Sequence, residues 1–386
     1  MYITSADKLK EFCDNLQSAE VLVVDTEFVR ERTYFHRIGL IQVGGGEHFA
    51  AIDPIALPDM TPLLELLKDP KKIKVFHAAR QDLEILVRLC GQVIPPVFDT
   101  QIAAALVGWG TQISFAKIVH KALGKKIHKS ETYTDWCRRP LSDNQIEYAI
   151  DDVRYLMPVY KKIVDRLTRM GRLEWVRGEV MDWEDPKTFA LPDPKKRFMK
   201  IKNLRSLKSR NLTVLQEIAA WREGEAVKRD CLAKSIIRDE TLLEIARKIP
   251  RDTKTLSGIR GMYQKEMSKG GVAILKAIET AMEVAENDLI ELPESNGHAT
   301  TRGVEELLAA YVQIRSEELK IEPSVLADRK KIHSFVTHFE QKQDIEEHIL
   351  FQGWRKELIG IPMFSLLSGK MGLKIDPSGQ VCLINS

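Results

Sequence analysis

Four acidic residues and one tyrosine have the types and spacing of a hydrolytic metal site. Asp25 and Glu27 lie two residues apart in an apolar run, so in a β-strand both carboxylates point to the same face. Asp82 stands where a helix begins after another apolar run. Tyr148 and Asp152 are four residues apart in a helical pattern and therefore share a face. Because Mg²⁺ and Mn²⁺ prefer clustered oxygen ligands, this pattern favours a site for divalent cations.

The chemistry that such a set suits is phosphodiester hydrolysis. Four carboxylates can hold two metal ions about 3.5–4 Å apart, and such a pair activates water and stabilises the leaving oxygen. A tyrosine hydroxyl one helical turn from a ligand can orient or deprotonate that water. Each feature alone has an ordinary explanation, such as a solvated strand end for Asp25 and Glu27 or a helix-dipole acid for Asp82. The combination and its order along the chain favour catalysis.

The elements that must position these residues are strands that alternate with helices. The predicted strands cover residues 21–28, 38–43, 48–53 and 72–77. The first three form an antiparallel meander, and the fourth leads into a helix over 82–89. From 99 to about 169 the apolar spacing is helical. This alternation predicts a mixed α/β domain over residues 1–185.

The remainder of the chain predicts small helical modules. The predicted parts are a basic linker at 186–210, helical modules at 211–290 and 302–380, and a polar linker at 292–302 between the modules. Each module contains a tryptophan followed by arginine, at Trp221 and Trp354, which is consistent with a diverged repeat. Apolar neighbours at helical spacing favour packing over base stacking for both tryptophans.

The composition is that of a folded cytoplasmic protein. Of 386 residues, 44% are apolar and 29% are charged, and no apolar run is long enough for a membrane span. The first residues include Asp7 and Glu11 and do not form a secretory signal. The five cysteines lie far apart, which argues against a zinc cluster and against disulfides. A net charge of +3 is too small to identify a partner.

Two tempting alternatives have little support. His77 leaves a buried strand five residues before Asp82, and such an imidazole more often makes a structural hydrogen bond than binds a metal. The chain lacks a His-Glu-x-x-His motif, and the glycines at 44–46 are not followed by a phosphate-binding lysine. A zinc protease and a complete helicase are therefore unsupported.

The catalytic segments resemble those of the ribonuclease D family. The resemblance rests on VVDTEFVRERTYF, IGLIQVG, FHAARQDLEIL and TDWCRRPLSDNQIEYAIDDVRYL, together with the two Trp-Arg modules. Members of this family are 3′→5′ exoribonucleases of the DEDD superfamily, in the subclass whose third motif carries tyrosine. The resemblance implies an α/β RNase H-like exonuclease domain, a mixed sheet flanked by helices, followed by two small all-α HRDC-like domains.

The resemblance also assigns roles to the candidate residues. It implies four metal ligands, Asp25, Glu27, Asp82 and Asp152. Tyr148 would position the attacking water, and Glu27 would lie near the terminal ribose. The family spacing of four residues from Tyr148 selects Asp152 and leaves Asp151 as a surface or capping acid.

An exonuclease must also hold a single strand, which usually requires cations for phosphates and aromatic faces for bases. The candidates are Arg30, Arg32 and Tyr34 after the first motif, and Lys129, Trp136 and Arg139 before the third. A solvated charged loop with a buried Trp136 fits the same residues equally well. The basic run over 195–210 also has two interpretations. The default is a solvated helix face, and binding of the RNA backbone is the alternative.

The resemblance thus implies an exoribonuclease with two divalent metal ions, Mg²⁺ or Mn²⁺. The oligomeric state is open, although a catalytic domain with two appended modules can work as a monomer, which is the expected state. Its expected substrates are precursor tRNA and other small structured RNAs with 3′ tails, from which it would release nucleoside 5′-monophosphates. Two other functions stay open, namely a DNA exonuclease in repair and a non-catalytic nucleic-acid-binding protein on a nuclease fold. The ratio of rates on RNA and DNA tests the first, and metal-dependent activity tests the second.

Overall fold

The structure is a computed structural model that describes residues 1–127, 134–292, 301–377 and 381–385. The chain divides into two compact units. The first consists of Met1–Glu27, Ile38–Phe189 and Gly297–Ser386, and the second of Phe28–Arg37 and Ala190–Asn296. Residues 293–300, most of the predicted polar linker, lie outside the described part. Within that part, no helix combines the length and the apolar character needed to cross a bilayer.

A six-stranded sheet forms the centre of the N-terminal region. The strands are β1 (Tyr2–Ile3), β2 (Val21–Val29), β3 (Arg37–Gly45), β4 (His48–Ile52), β5 (Ile73–Phe76) and β6 (Val97–Asp99). Their order is β1-β4-β3-β2-β5-β6. The pair β3 and β4 is antiparallel, whereas β5 runs parallel to both β2 and β6. The four predicted strands are confirmed, but β1 and β6 were missed because two or three residues are too few to show an alternating pattern.

Helices cover both faces of this sheet. They are α1 (Ala6–Asn15), α2 (Thr61–Lys68), α3 (Arg80–Cys90), α4 (Thr100–Leu106), α5 (Phe115–Leu123), α6 (Asp143–Arg169) and α7 (Leu173–Val180). The alternation of β2 divides the core between the faces: Leu22 and Val24 pack with α1, α2 and α3, whereas Val23 packs with α4, α5 and α6. This is the layered arrangement that alternating strands and helices predict.

The second unit is helical. Its helices are α8 (Ser209–Lys228), α9 (Ala233–Ile236), α10 (Asp239–Lys248), α11 (Thr253–Ser257) and α12 (Gln264–Glu283). Trp221 packs against their common core, and a Cβ at Gly270 would lie 2.6 Å from its ring. The packing interpretation of Trp221 is therefore confirmed.

The basic segment was predicted as a linker, but it folds into the second unit. Phe198, Ile201 and Leu207 are buried in the helical core, on and around short 3₁₀ helices at Pro194–Lys200 and Leu204–Ser206. Two of its cations pair with acids of α8: Arg197 with Glu223 and Lys195 with Glu217. The charge pattern predicted a solvated chain because the apolar residues between the cations were too sparse to indicate a core.

The last region of the first unit is also mainly helical. It contains α13 (Thr301–Leu319), α14 (Pro323–Leu326), α15 (Arg329–Glu340), a π-helix at Lys356–Gly360 and α16 (Ile361–Leu367), followed by β7 (Met371–Ile375) and β8 (Val381–Asn385). The prediction of a wholly helical module over 302–380 is wrong at its end, since β7 and β8 form an antiparallel hairpin. The Trp354 ring stacks on Trp175 of α7 at a centroid distance of 4.5 Å, which confirms packing for this tryptophan.

Candidate active site

The end of β2 places two carboxylates on the face of the sheet that α4, α5 and α6 cover. Val23 is fully buried against α6, and the two-residue period carries that face on to Asp25 and Glu27. Thr26, between them, points to the opposite face and donates its hydroxyl to Asp82 Oδ1 at 2.5 Å. A strand of β-branched and aromatic residues thus delivers two acids to the pocket and holds a third with the residue between them.

The long helix α6 supplies the other two residues. Ser142 caps its N-terminus in a capping box with Gln145, which fixes where the helix begins. Tyr148 and Asp152 are half-buried, one turn apart, beside the fully buried Val153 that packs on the sheet. The capped start and the apolar face together set the rotation of the helix, so both side chains face the pocket at β2.

Three of the four predicted ligands converge. Asp25, Glu27 and Asp152 each offer a carboxylate oxygen, and these oxygens all lie within 4.8 Å of one another. Asp82 is not part of this set of three, but it is buried at 7% exposure. Its charge raises the pKa of Glu27, and the charge of Asp25 raises the pKa of Asp82. The neighbouring Asp151 instead pairs with Arg154 at 2.5 Å.

The converging carboxylates raise one another's pKa. Burial, and then the charge of Asp152, raises the pKa of Asp25 to about 8. Burial, followed by the charges of Asp25, Asp152 and Asp82, raises the pKa of Glu27 to about 9. Burial and the charge of Asp25 also raise the pKa of Asp82, in spite of the hydrogen bond from Thr26.

This donor set fits divalent cations. All of its donors are carboxylate oxygens, the ligands that Mg²⁺ and Mn²⁺ prefer. Carboxylates that repel one another become fully ionised only when a positive charge joins them. The set borders a pocket of about 200 Å³, which Tyr148 also lines. The geometry therefore suits a metal-dependent reaction on a substrate that enters this pocket.

Comparisons with known proteins agree with this geometry. A family model described as 3′-5′ exonuclease matches residues 1–168, and one described as HRDC domain matches residues 211–278. The protein named Ribonuclease D from Granulibacter bethesdensis is 36% identical over 388 residues, covering 100% of this chain and 96% of that relative. The chain belongs to the ribonuclease D family.

A solved structure extends the similarity over nearly the whole chain. The crystal structure of Escherichia coli RNase D, described as an exoribonuclease involved in structured RNA processing, has 32% identity, a TM-score of 0.84 and coverage of 96% of this chain and 98% of that one. The expected exonuclease domain with a helical C-terminal region is confirmed, and this ribonuclease D family member is a 3′–5′ exoribonuclease. The HRDC-like character of the second helical module stays a prediction.

The remaining walls of the pocket in this ribonuclease D family member were not singled out in the sequence as pocket residues. They include Phe115, Ile127 and Leu156. His77 also lines the pocket, and its ring nitrogens lie 3.0 Å from Thr100 Oγ1 and 3.0 Å from the Ile113 carbonyl oxygen. The structural hydrogen bonds expected of His77 are thus present. Single apolar residues such as Phe115 carry no spacing signal, because their partners come from distant segments.

The predicted RNA contacts have different surroundings. Arg30 and Arg32 are exposed. Tyr34 donates its hydroxyl to Glu223 at 2.6 Å, within the second unit. These contacts stay predictions, and Lys129 lies outside the described residues.

Trp136 and Arg139 have structural surroundings instead. Trp136 is only 2% exposed, so neither face of its ring is open to a base. Arg139 forms an ion pair with the buried Asp53. This placement corrects the expectation that both residues contact RNA, and it favours the alternative of a buried Trp136.

Proposed function

We propose that this exoribonuclease trims the 3′ ends of precursor tRNA and other small structured RNAs and releases nucleoside 5′-monophosphates. The observation that carries the proposal is the convergence of Asp25, Glu27 and Asp152 within 4.8 Å, with Asp82 beside them. The substrate class is supported by the family resemblance and by Escherichia coli RNase D, which is described as acting in structured RNA processing.

In this proposal the four acids, Asp25, Glu27, Asp82 and Asp152, hold two divalent cations, Mg²⁺ or Mn²⁺. When bound, these ions would activate the attacking water and stabilise the leaving 3′ oxygen. The protein's own part is to keep the carboxylates together despite their repulsion. The backbone of β2 fixes two of them, the Thr26 hydroxyl holds Asp82, and the start of α6 sets the position of Asp152. Cation binding then replaces protons, so affinity increases with pH.

Tyr148 orients the water in this proposal. Its side chain lines the same pocket as the acids and precedes Asp152 by one helical turn. A phenol there can accept a hydrogen bond from the water and direct its lone pair toward the phosphorus atom. Glu27, at the end of β2, is placed near the terminal ribose by the family resemblance. Tyr148→Phe is expected to lower kcat about a hundredfold while metal affinity is unchanged, because only the hydroxyl is removed.

The rest of the chain holds the substrate. Arg30 and Arg32 are exposed and close in sequence to Glu27, so they are our candidates for binding the phosphates of the 3′ tail. The helical modules would bind the body of the RNA. All five cysteines are free thiols, which supports action in the reducing cytoplasm. One chain carries all five proposed catalytic residues, which supports a monomer as the active form.

The test uses a 5′-labelled RNA with a short single-stranded 3′ tail, incubated with Mg²⁺, Mn²⁺ or EDTA. Asp152→Ala is expected to abolish shortening, whereas Asp151→Ala, its neighbour paired with Arg154, is expected to retain it. A ladder from the 3′ end that disappears with EDTA and with Asp152→Ala supports the proposal. Shortening by Asp152→Ala at the wild-type rate contradicts the site. Faster shortening of a matched DNA would contradict the RNA substrate.

A further inference from the structure

A bidentate ion pair anchors the segment that precedes α6. The Arg139 guanidinium donates from Nε to Asp53 Oδ2 at 2.6 Å and from Nη2 to Asp53 Oδ1 at 2.7 Å. Asp53 directly follows β4, is 1% exposed and also accepts the Tyr2 hydroxyl at 2.5 Å. A buried carboxylate with a planar two-point contact holds its arginine in one orientation.

The same guanidinium also binds three backbone carbonyls. Nη1 donates to Trp136 O at 2.8 Å and to Arg138 O at 2.9 Å, and Nη2 donates to Gly39 O at 2.7 Å. Gly39 lies in β3, and a Cβ there would stand 2.5 Å from Trp136 O, so the strand and the segment touch backbone to backbone. With the two bonds to Asp53, all five N–H donors of Arg139 are used within the protein. The side chain therefore has no N–H left for a phosphate.

Trp136 extends this anchorage to Tyr148. Its ring centroid lies 6.2 Å from that of Tyr148, with the ring planes 32° apart. Trp136 belongs to a buried apolar cluster with Leu40 and Ala149, and Tyr148 packs against this cluster. The indole N–H has no hydrogen-bond acceptor in the described part of the chain. Packing and the backbone that Arg139 holds therefore set the position of this ring.

We propose that Arg139, held by Asp53, is a positioning residue for Tyr148. It fixes the Trp136 backbone against β3, and the buried indole then limits where the Tyr148 ring can lie. The inference rests on the proposed function, in which the Tyr148 hydroxyl orients the attacking water. A displacement of about 1 Å at such a group is sufficient to lower a rate strongly.

The test is a double-mutant cycle between Arg139→Lys and Tyr148→Phe. Lysine keeps the charge but cannot reproduce the planar fork that binds Asp53 and the carbonyls together. Arg139→Lys is expected to lower kcat on the tailed RNA about tenfold and to leave KM and Mn²⁺ affinity unchanged. In the Tyr148→Phe background the same change is expected to alter kcat less than about twofold, because the group it acts through is already absent. Asp53→Asn serves as a second variant if Arg139→Lys folds poorly.

The matched control is Arg172→Lys. Arg172 is also a buried arginine, 8% exposed, that donates to the carbonyls of Leu106 and Leu319 and has no contact with Trp136. It should lower thermal stability without changing kcat. Equal loss of kcat in both tyrosine backgrounds would overturn the inference, as would a salt-dependent rise of KM, which would make Arg139 an RNA contact. Full activity of Tyr148→Phe alone would instead contradict the proposed function, and that single variant separates the two failures.

Discussion

The molecule holds half-buried carboxylates in two contrasting ways. On α7, Glu179 meets a cation: Arg355 donates to both of its carboxylate oxygens, from Nη2 at 2.8 Å, and Trp354 Nε1 adds a bond of 2.9 Å. At the end of β2, Asp25 and Glu27 meet other acids, and burial and mutual repulsion raise the pKa of both. An arginine balances the charge of Glu179, so we call Glu179, Arg355 and Trp354 the complete cluster. The side-chain charges that shift the pKa of Asp25 and Glu27 come from other acids, so we call the four acids of the candidate site the incomplete cluster.

This difference shows which region serves stability and which serves chemistry. A half-buried carboxylate with an arginine and an indole N–H has its desolvation offset, so the contact holds α7 to the last helical region. Buried acids that face one another destabilise the fold and are retained where a ligand completes them. Divalent cations are therefore expected to bind the incomplete cluster. They are not expected to bind the complete cluster, where Arg355 already supplies the positive charge.

The largest expected effect comes from removing one charge from the incomplete cluster. Asp25→Asn is expected to lower kcat by about a thousandfold or more, since it removes a ligand and not merely a contact of the substrate. Single-turnover assays at saturating Mn²⁺ measure this, with RNA affinity followed by filter binding. Asp165→Asn on the exposed face of α6 is the matched control and should retain full activity. Wild-type turnover by Asp25→Asn would show that the cluster is not the reaction centre.

The candidate catalytic residues could be predicted from the sequence because each depends on a short periodicity. Asp25 and Glu27 share a face by the two-residue period of a strand, and Tyr148 and Asp152 share one by the four-residue spacing of a helix. Their convergence could not be derived from these periods. It depends on the pairing of β2 with β5 and on the packing of α6 across the sheet.

The supporting contacts could not be predicted, because they join residues far apart in sequence. Arg139 reaches Asp53 across 86 positions, and Arg355 reaches Glu179 across 176. No local period marks such partners, and a surface arginine and a buried one look alike in a sequence. For this reason Arg139 was interpreted as an RNA contact. The same limit explains why the basic segment was interpreted as a linker, although Phe198 anchors it in a core.

The second prediction concerns the complete cluster. Arg355→Met leaves the half-buried Glu179 without its cation and is expected to lower the free energy of unfolding by about 2–3 kcal/mol. Urea denaturation followed by circular dichroism measures the loss, and kcat per folded molecule should stay near that of the wild type. The double variant Arg355→Met with Glu179→Leu should recover most of the stability, because no unpaired charge remains. A thousandfold loss of kcat in the single variant would contradict the claim that the complete cluster serves stability and not catalysis.

The smallest expected effect is a pH dependence that belongs to the incomplete cluster alone. The fold raises the pKa of Asp25 from 3.8 to about 8 and that of Glu27 from 4.5 to about 9. At a pH between the unfolded and the folded pKa of each acid, the folded protein therefore binds more protons than the unfolded chain. Their contribution to stability is therefore fully present below pH 3.8 and is lost as the pH rises toward 8 to 9. Asparagine does not titrate, so Asp25→Asn removes one of the two groups that cause this pH-dependent loss of stability.

In EDTA, Asp25→Asn should thus be more stable than the wild type, by a margin that grows between pH 5 and pH 8 to the order of 1–2 kcal/mol. Thermal denaturation of both proteins across this range measures the margin. Mn²⁺ should stabilise the wild type more at pH 8 than at pH 5, because at pH 8 the ion displaces fewer protons from the carboxylates. Glu179→Gln should show no such growing advantage, since Arg355 already supplies the positive charge there. A difference in stability that is constant with pH would mean that the acids at the end of β2 do not destabilise the fold when they ionise. Their contrast with the complete cluster would then be lost.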